Sequence, residues 1–151
     1  MKKFRFNLES VLKYRENTEE NEKMVLANLN AVLAVLTEEL RVLHDEYNYR
    51  VKEFEEIAVQ GVMVHEIRAH NAFLENIKYG IELKLKEIEE QNKLIARQTA
   101  VVIRAMQDTK TLDKLKERKF EIYTKEEQKT QEKLIEEMAS YKNAAKNAAA
   151  R

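Results

Sequence analysis

One short stretch holds residues of the types that metal binding or hydrolysis would need. His65-Glu66-Ile67-Arg68-Ala69-His70 places two imidazoles around a glutamate, close to the His-Glu-x-x-His helix that grips zinc and activates water. That chemistry requires its histidines at i and i+4. Here they are five apart, which swings the second ring about 140° around a helix, so the stretch is expected to be hydrated helix with no metal. His44 stands alone beside Asp45, and Ser10 and Ser140 have no histidine partner in reach. The paired carboxylates Glu38/Glu39 and Glu89/Glu90 lie on exposed helix, without a concave pocket to raise a pKa. No Gly-rich loop is present to cradle phosphate, and the absence of cysteine removes disulfide and thiolate chemistry. The expectation is a protein that is not an enzyme, with no catalytic residues and no cofactor.

The elements that carry these residues read as long helices. The 151 residues include no proline and only two glycines, Gly61 and Gly80, and 36% are charged; this composition suits a coiled coil and excludes loop-rich all-β and α/β folds. Leu26, Leu29, Leu33, Leu36, Leu40, Leu43, Tyr47, Arg50, Phe54 and Ile57 alternate spacings of three and four, an a/d seam with one polar intruder. Carried backwards, the register passes through Glu22, Glu19, Arg15, Leu12 and Leu8. Asn7 can cap the helix, with Phe6 and Val11 as a hydrophobic staple. The first helix is expected from about 7 to about 60, a bend around Gly61 over about 59–65, and a second, longer helix over about 65–140. Leu74, Ile77, Ile81, Leu85, Ile88, Ile95, Val102, Met106 and Thr109 give the second seam, with polar Asn92 and Thr99 in line. Near Thr109 this register is expected to slip. Gly80 costs about 1 kcal/mol relative to alanine. Residues 142–151 offer no seam and are expected to fray.

Two long helices around one bend predict an all-α fold, a single antiparallel two-helix coiled-coil hairpin over 1–141. With the bend near 62, partners sum to about 125, so Leu26 should lie near Thr99 and Leu40 near Leu85, and residues from about 119 onward should project without a partner helix. Glu9/Lys13, Glu19/Lys23, Glu46/Arg50, Glu82/Lys86, Glu89/Lys93 and Glu121/Lys125 are acid-first i,i+4 pairs that support solvated helices. Formal net charge is zero, with 27 basic and 27 acidic residues, so no global field attracts nucleic acid or an anionic membrane. The basic start Met1-Lys2-Lys3 is followed by no apolar run, which argues against a signal peptide or membrane anchor and for a cytoplasmic protein. The charge is nevertheless segregated. Residues 1–15 carry five bases against Glu9, residues 16–60 carry eleven acids against four bases, and Lys114-Leu115-Lys116-Glu117-Arg118-Lys119 is basic again. A hairpin would bring the two basic stretches together.

On these residues the chain resembles a known family. Phe4-Arg5-Phe6-Asn7-Leu8-Glu9-Ser10-Val11-Leu12-Lys13-Tyr14-Arg15 is similar to the opening "F-x-F-x-L-E-x-V-L-x-x-R" of the flagellar export chaperone FliJ family. His70-Asn71-Ala72-Phe73-Leu74-Glu75-Asn76-Ile77 resembles that family's segment after the bend. Residues 112–139, from Leu112-Asp113-Lys114-Leu115-Lys116-Glu117-Arg118 through Tyr123 to Glu137-Met138-Ala139, resemble its tail, although Gln131-Glu132-Lys133 inserts a glutamate into the tail pattern.

The resemblance implies a coiled-coil stalk of the flagellar type III export apparatus, peripheral to the inner membrane. Such a stalk inserts its terminal tip into the hexameric export ATPase ring and promotes the ring's assembly and activity. It also contacts the cytoplasmic domain of the export gate protein and escorts flagellar export chaperones. Carried onto this chain, the ring contact would be Leu8, Leu12, Arg15, Leu115, Arg118, Lys119 and Tyr123, and the gate contact Tyr47, Tyr49, Phe73 and Ile77. A stalk that threads a ring should be a monomeric hairpin. The alternatives are the equivalent stalk of a virulence injectisome and a generic coiled-coil scaffold that dimerises through its seams.

Overall fold

A computed structural model describes residues 2–151, and the described residues form two α-helices and no strands. α1 spans Glu9–Ala58 and α2 spans Val64–Ala149, an antiparallel hairpin with the second helix the longer. α1 opens at Glu9 rather than near 7. Its first helical bond runs from the Leu12 N–H to the Leu8 carbonyl (2.8 Å), while the Glu9 N–H turns back to the Phe6 carbonyl (3.1 Å). Asn7 therefore precedes the helix instead of capping it. The expected staple of Phe6 with Val11 does not fit either: Phe6 and Leu12 are buried, at 7% and 2% exposure, whereas Val11 is turned outward at 40%.

The bend occupies 59–63. Gly61 adopts a φ of +94°, a left-handed conformation that costs L-residues a clash at Cβ, and its N–H bonds the Ala58 carbonyl at 3.1 Å to close the helix end. α2 then opens without a polar residue at its cap. Glu66 substitutes from within the first turn, its carboxylate accepting the Met63 N–H at 3.0 Å, which is half of a capping box. At the far end α2 continues past the expected boundary of about 140, through the stretch expected to fray, to Ala149. Alanine has the highest helix propensity, and Lys146 in the last turn complements the helix dipole. Every residue from 131 onward is exposed.

The residues group into two compact units, Glu19–Arg104 and the N-terminal segment to Thr18 together with Ala105–Arg151. In the unit Glu19–Arg104, the α1 leucines from Leu26 to Leu43 are half-buried, as their spacing requires. On α2, the line Leu74, Ile81, Ile88, Ile95 and Val102 faces inward, together with Ile77. The second α2 line differs from expectation by one residue. Leu85 is 49% exposed, and Asn92 is exposed as well. Their places are taken by Lys84, Gln91 and Gln98. Gln91 is 8% exposed, and its amide donates to the Leu29 carbonyl at 2.9 Å. The Gln98 amide donates to the Glu22 carbonyl at 3.1 Å. A buried amide is costly unless bonded, and here α1's backbone supplies the acceptors. Lys84 lays its stem along the interface and sends its ammonium to Glu39 (2.7 Å) and Glu87 (2.9 Å). The pairs Leu29/Gln91 and Glu39/Lys84 lie within about two helical turns of the expected alignment.

In the second unit, Ala105 (8% exposed) and Thr109 (7%) are buried, while Met106 is 45% exposed. Leu112, half-buried, continues the Ala105–Thr109 line at helical spacing. The expected slip near Thr109 is therefore absent: it arises only when the seam is followed through Met106. The Thr109 hydroxyl donates to the Ala105 carbonyl at 3.1 Å, so its burial leaves no donor unmet. Of the anticipated acid-first pairs, Glu19–Lys23 (2.8 Å) and Glu89–Lys93 (3.9 Å) form. Glu9 turns instead to Lys116, and Arg50 to Glu53.

Candidate functional site

The unit that carries both terminal stretches has the denser chemistry. Its extended segment 2–6 lies against the middle of α2. There the Phe4 ring meets Phe120 edge-on, with centroids 5.2 Å apart at 78°, and leans on Tyr123 at 5.6 Å. Phe120 and Tyr123 are themselves 6.4 Å apart, so Phe4 completes a three-ring cluster of the kind that adds edge-to-face attraction to burial. The Tyr123 hydroxyl lies 2.7 Å from the Lys2 carbonyl and 2.8 Å from a Glu127 carboxylate oxygen. Its single proton is shared between two acceptors, and the carboxylate's hold on that proton raises the phenol's pKa. Behind the cluster, the Lys116 ammonium reaches Glu9 at 2.8 Å, and this carboxylate raises the lysine's pKa. Arg15 reaches Asp108 at 3.3 Å.

The expected ring-contact residues divide by this geometry. Leu12 is buried as packing. Leu8, Leu115 and Tyr123 are half-buried. Arg15 is partly exposed but already paired with Asp108. Arg118 and Lys119 are exposed and make no ion pair among the described residues. Phe4 is the addition that sequence reasoning passed over; the signal was two aromatic residues at alternate positions, Phe4 and Phe6, just ahead of the helix. Lys2, Lys3 and Arg5 line a shallow recess with Phe4 and Tyr123, and Arg5 lines a second with Phe4, Phe6, Glu9 and Lys116. The result is an aromatic centre bordered by Lys2, Lys3 and Arg5, while Arg118 lies about 160° around α2 from Phe120, where its exposed guanidinium can take a carboxylate by two parallel bonds.

The unit Glu19–Arg104 carries the expected gate-contact residues on the turns near the bend. Ile77, at 6% exposure, is core. Tyr47 is half-buried with the Lys78 ammonium 5.9 Å from its ring centre. Tyr49 is 64% exposed, and Phe73, 39% exposed, lies under the Arg50 guanidinium at 4.9 Å, a cation–π contact. His70, expected to be merely hydrated, stacks on Phe54 with centroids 3.9 Å apart and planes 9° from parallel. Together with Glu66 at the α2 cap, this gives structural roles to two members of the zinc-like stretch.

A protein-family model described as Flagellar FliJ protein matches residues 4–148. No curated protein and no solved structure matches the chain significantly.

Proposed function

Because this chain belongs to the flagellar FliJ family and so is a component of the flagellar export apparatus, we propose that it serves there as a non-enzymatic stalk. In this reading the surface around Phe4, Phe120 and Tyr123 enters the hexameric ring of the export ATPase, and Arg118 and Lys119 meet acidic loops of the ring. Arg15, Leu8 and Leu115 border that contact, and Leu12 supports it from beneath. Insertion promotes ring assembly and hydrolysis. Tyr49 and Phe73, backed by Tyr47 and Ile77, contact the cytoplasmic domain of the export gate protein, and the stalk escorts export chaperones on the cytoplasmic face of the membrane. Among the described residues no helix is long and apolar enough to cross a membrane, which suits a peripheral component.

The observation that carries the reading is the aromatic centre bordered by Lys2, Lys3 and Arg5 in the unit that holds both terminal stretches. Central aromatic and arginine anchors are what dominate protein interfaces energetically. The test is hydrolysis by the cognate flagellar export ATPase with and without this protein. Beside it runs Arg118→Glu with Lys119→Glu, confirmed helical by circular dichroism. Arg15 is left intact, since a glutamate there would face Asp108 and disturb the fold. Several-fold stimulation by the wild type and its loss in the variant are expected. If the intact protein moves neither hydrolysis nor ring assembly, the stalk reading falls. A stable dimer by molar mass would put a scaffold in its place.

A further inference from the structure

In a chain whose residues are 36% charged, the thirteen residues 24–36 carry no charge at all. They form a continuous part of α1, and only Leu26, Leu29, Leu33 and Leu36 turn toward α2. The outward side is apolar as well: Met24, Val25, Val32 and Val35 are 60%, 44%, 47% and 57% exposed. Ala27, Ala31 and Ala34 lie between them, also exposed. A helix that is apolar all round is normally buried on all sides, and contiguous exposed apolar surface marks an interaction site. Small alanines among β-branched valines allow the close approach of another helix, and the polar residues of the stretch are two exposed asparagines, Asn28 and Asn30.

The charges at the two ends of this face say what covers it. Glu20 precedes it and Glu38 and Glu39 follow it, with Asp45 and Glu46 one to two turns further on, while Glu22 turns toward α2 and takes the Gln98 amide. The nearby bases Lys23, Arg41 and, from α2, Lys84 bond Glu19, Glu38 and Glu39 and leave both flanks net acidic. A second copy of this chain laid on the face would bring acids against acids in either direction, parallel or antiparallel. We propose that the outward face of α1 over residues 24–36 docks a helix of a different protein, one with a seam of small and apolar residues and lysines or arginines near both ends. Glu20 and Glu38, both exposed, set the spacing of those basic groups at about eighteen residues, or about 27 Å along a helix. The occupant lies in a groove by its apolar face, and charge complementarity selects it against a second copy. The proposal does not rest on ring insertion.

Since the chain contains no cysteine, Val32→Cys bearing an environment-sensitive dye reports directly on this face, and Ala144→Cys serves as a distant control. The probe is a synthetic amphipathic helix with an alanine–leucine seam and lysine pairs about eighteen residues apart, compared with a twin in which glutamates replace the lysines. The lysine peptide is expected to shift the dye emission at position 32 but not at 144, and to bind at least tenfold more tightly than its twin. Val25→Glu with Val35→Glu should weaken binding at least tenfold while helicity and melting temperature stay near the wild type. Equal binding of the two peptides, or no binding of the lysine peptide, overturns the proposal. So does a wild-type dimer in sedimentation that the double variant dissolves, since the face would then be a self-interface.

Discussion

Within Glu19–Arg104, α1 offers an aliphatic line and α2 answers it partly with amides, Gln91 and Gln98, whose NH2 groups reach α1 carbonyls. In the unit with the terminal stretches, the contacts are a few discrete anchors: Leu12 and Phe6 in the core, the Phe4–Phe120–Tyr123 rings, and the ion pairs of Glu9 with Lys116 and of Arg15 with Asp108. The first arrangement fixes register, because an amide must find a particular carbonyl while leucines slide past one another at little cost. The second concentrates stability in few side chains and leaves cations and rings at the surface. A long two-helix protein can thus be aligned in one region and functionally exposed in another.

The contrast breaks first at Leu12, the most buried side chain of the terminal unit at 2% exposure. Leu12→Ala is expected to cost about 2 kcal/mol, the lower end of the range for buried leucine because the cavity borders solvent. Leu36→Ala, on a half-buried seam position in the other unit, should cost less. Urea denaturation of both variants compares them, and equal losses would mean that stability is not concentrated as described. The opposite unit is probed by Gln91→Leu with Gln98→Leu. Gln91→Leu loses one hydrogen bond and Gln98→Leu two, each worth about 1 kcal/mol net, while each leucine gains apolar burial of about 1.5–3 kcal/mol. The double variant should therefore be at least as stable as the wild type, by up to about 3 kcal/mol. Molar mass in solution then reads whether the hairpin has lost its single alignment and begun to associate. A destabilised double variant would show that the amides contribute more than register.

The first helix was legible because its seam leucines repeat without competition. Leu26 to Leu43 needed no structural correction. The second was misread at one line for a physical reason. Lys84, Gln91, Gln98 and Ala105 are polar or small, and the adjacent Leu85, Thr99 and Met106 present the more apolar set one residue along. Hydropathy cannot see that a glutamine will be satisfied by a backbone carbonyl of the facing helix. The same limit applied to the candidate site. Arg15, Arg118 and Tyr123 are carried over from the family resemblance, and the Asp108 partner that engages Arg15 is 93 residues away in sequence. Phe4 carries no helical periodicity because its segment is extended. Local pattern finds helix faces, whereas the aromatic cluster depends on a pairing across the whole chain.

Gly80 offers a smaller test of the aligned unit. It sits in mid-helix opposite Leu43, and a Cβ there would meet the Leu43 methyl groups at 3.9 and 4.0 Å, ordinary contact distances. Nothing steric requires glycine. Gly80→Ala should recover most of the helix-propensity difference, about 1 kcal/mol, measured as a raised denaturation midpoint. A loss of stability would mean that the helices approach more closely at this point than their present spacing.

The smallest expected effect concerns the terminal anchors and is read by pH. Glu127 and the Lys2 carbonyl hold the Tyr123 proton, and the carboxylate keeps the phenol's pKa above its usual value of 10.0. A raised pKa in the folded state means that the contribution is fully present below about pH 10 and is lost as pH climbs through the higher folded value. Above it, a phenolate would face the Glu127 carboxylate and could no longer donate to Lys2. Hydrogen exchange of the amides of residues 3–6, corrected for the intrinsic rise of exchange with pH, should therefore stay slow to about pH 10 and then quicken. Tyr123→Phe should quicken it below that pH and remove the dependence, while amides near Leu12 stay protected. An ultraviolet titration supplies the independent check, since Tyr123→Phe should remove a phenol that ionises above the usual value of 10.0. If the phenol lost in the variant ionises at the usual value, it is not held by Glu127 in solution, and the attachment of segment 2–6 rests on the rings alone.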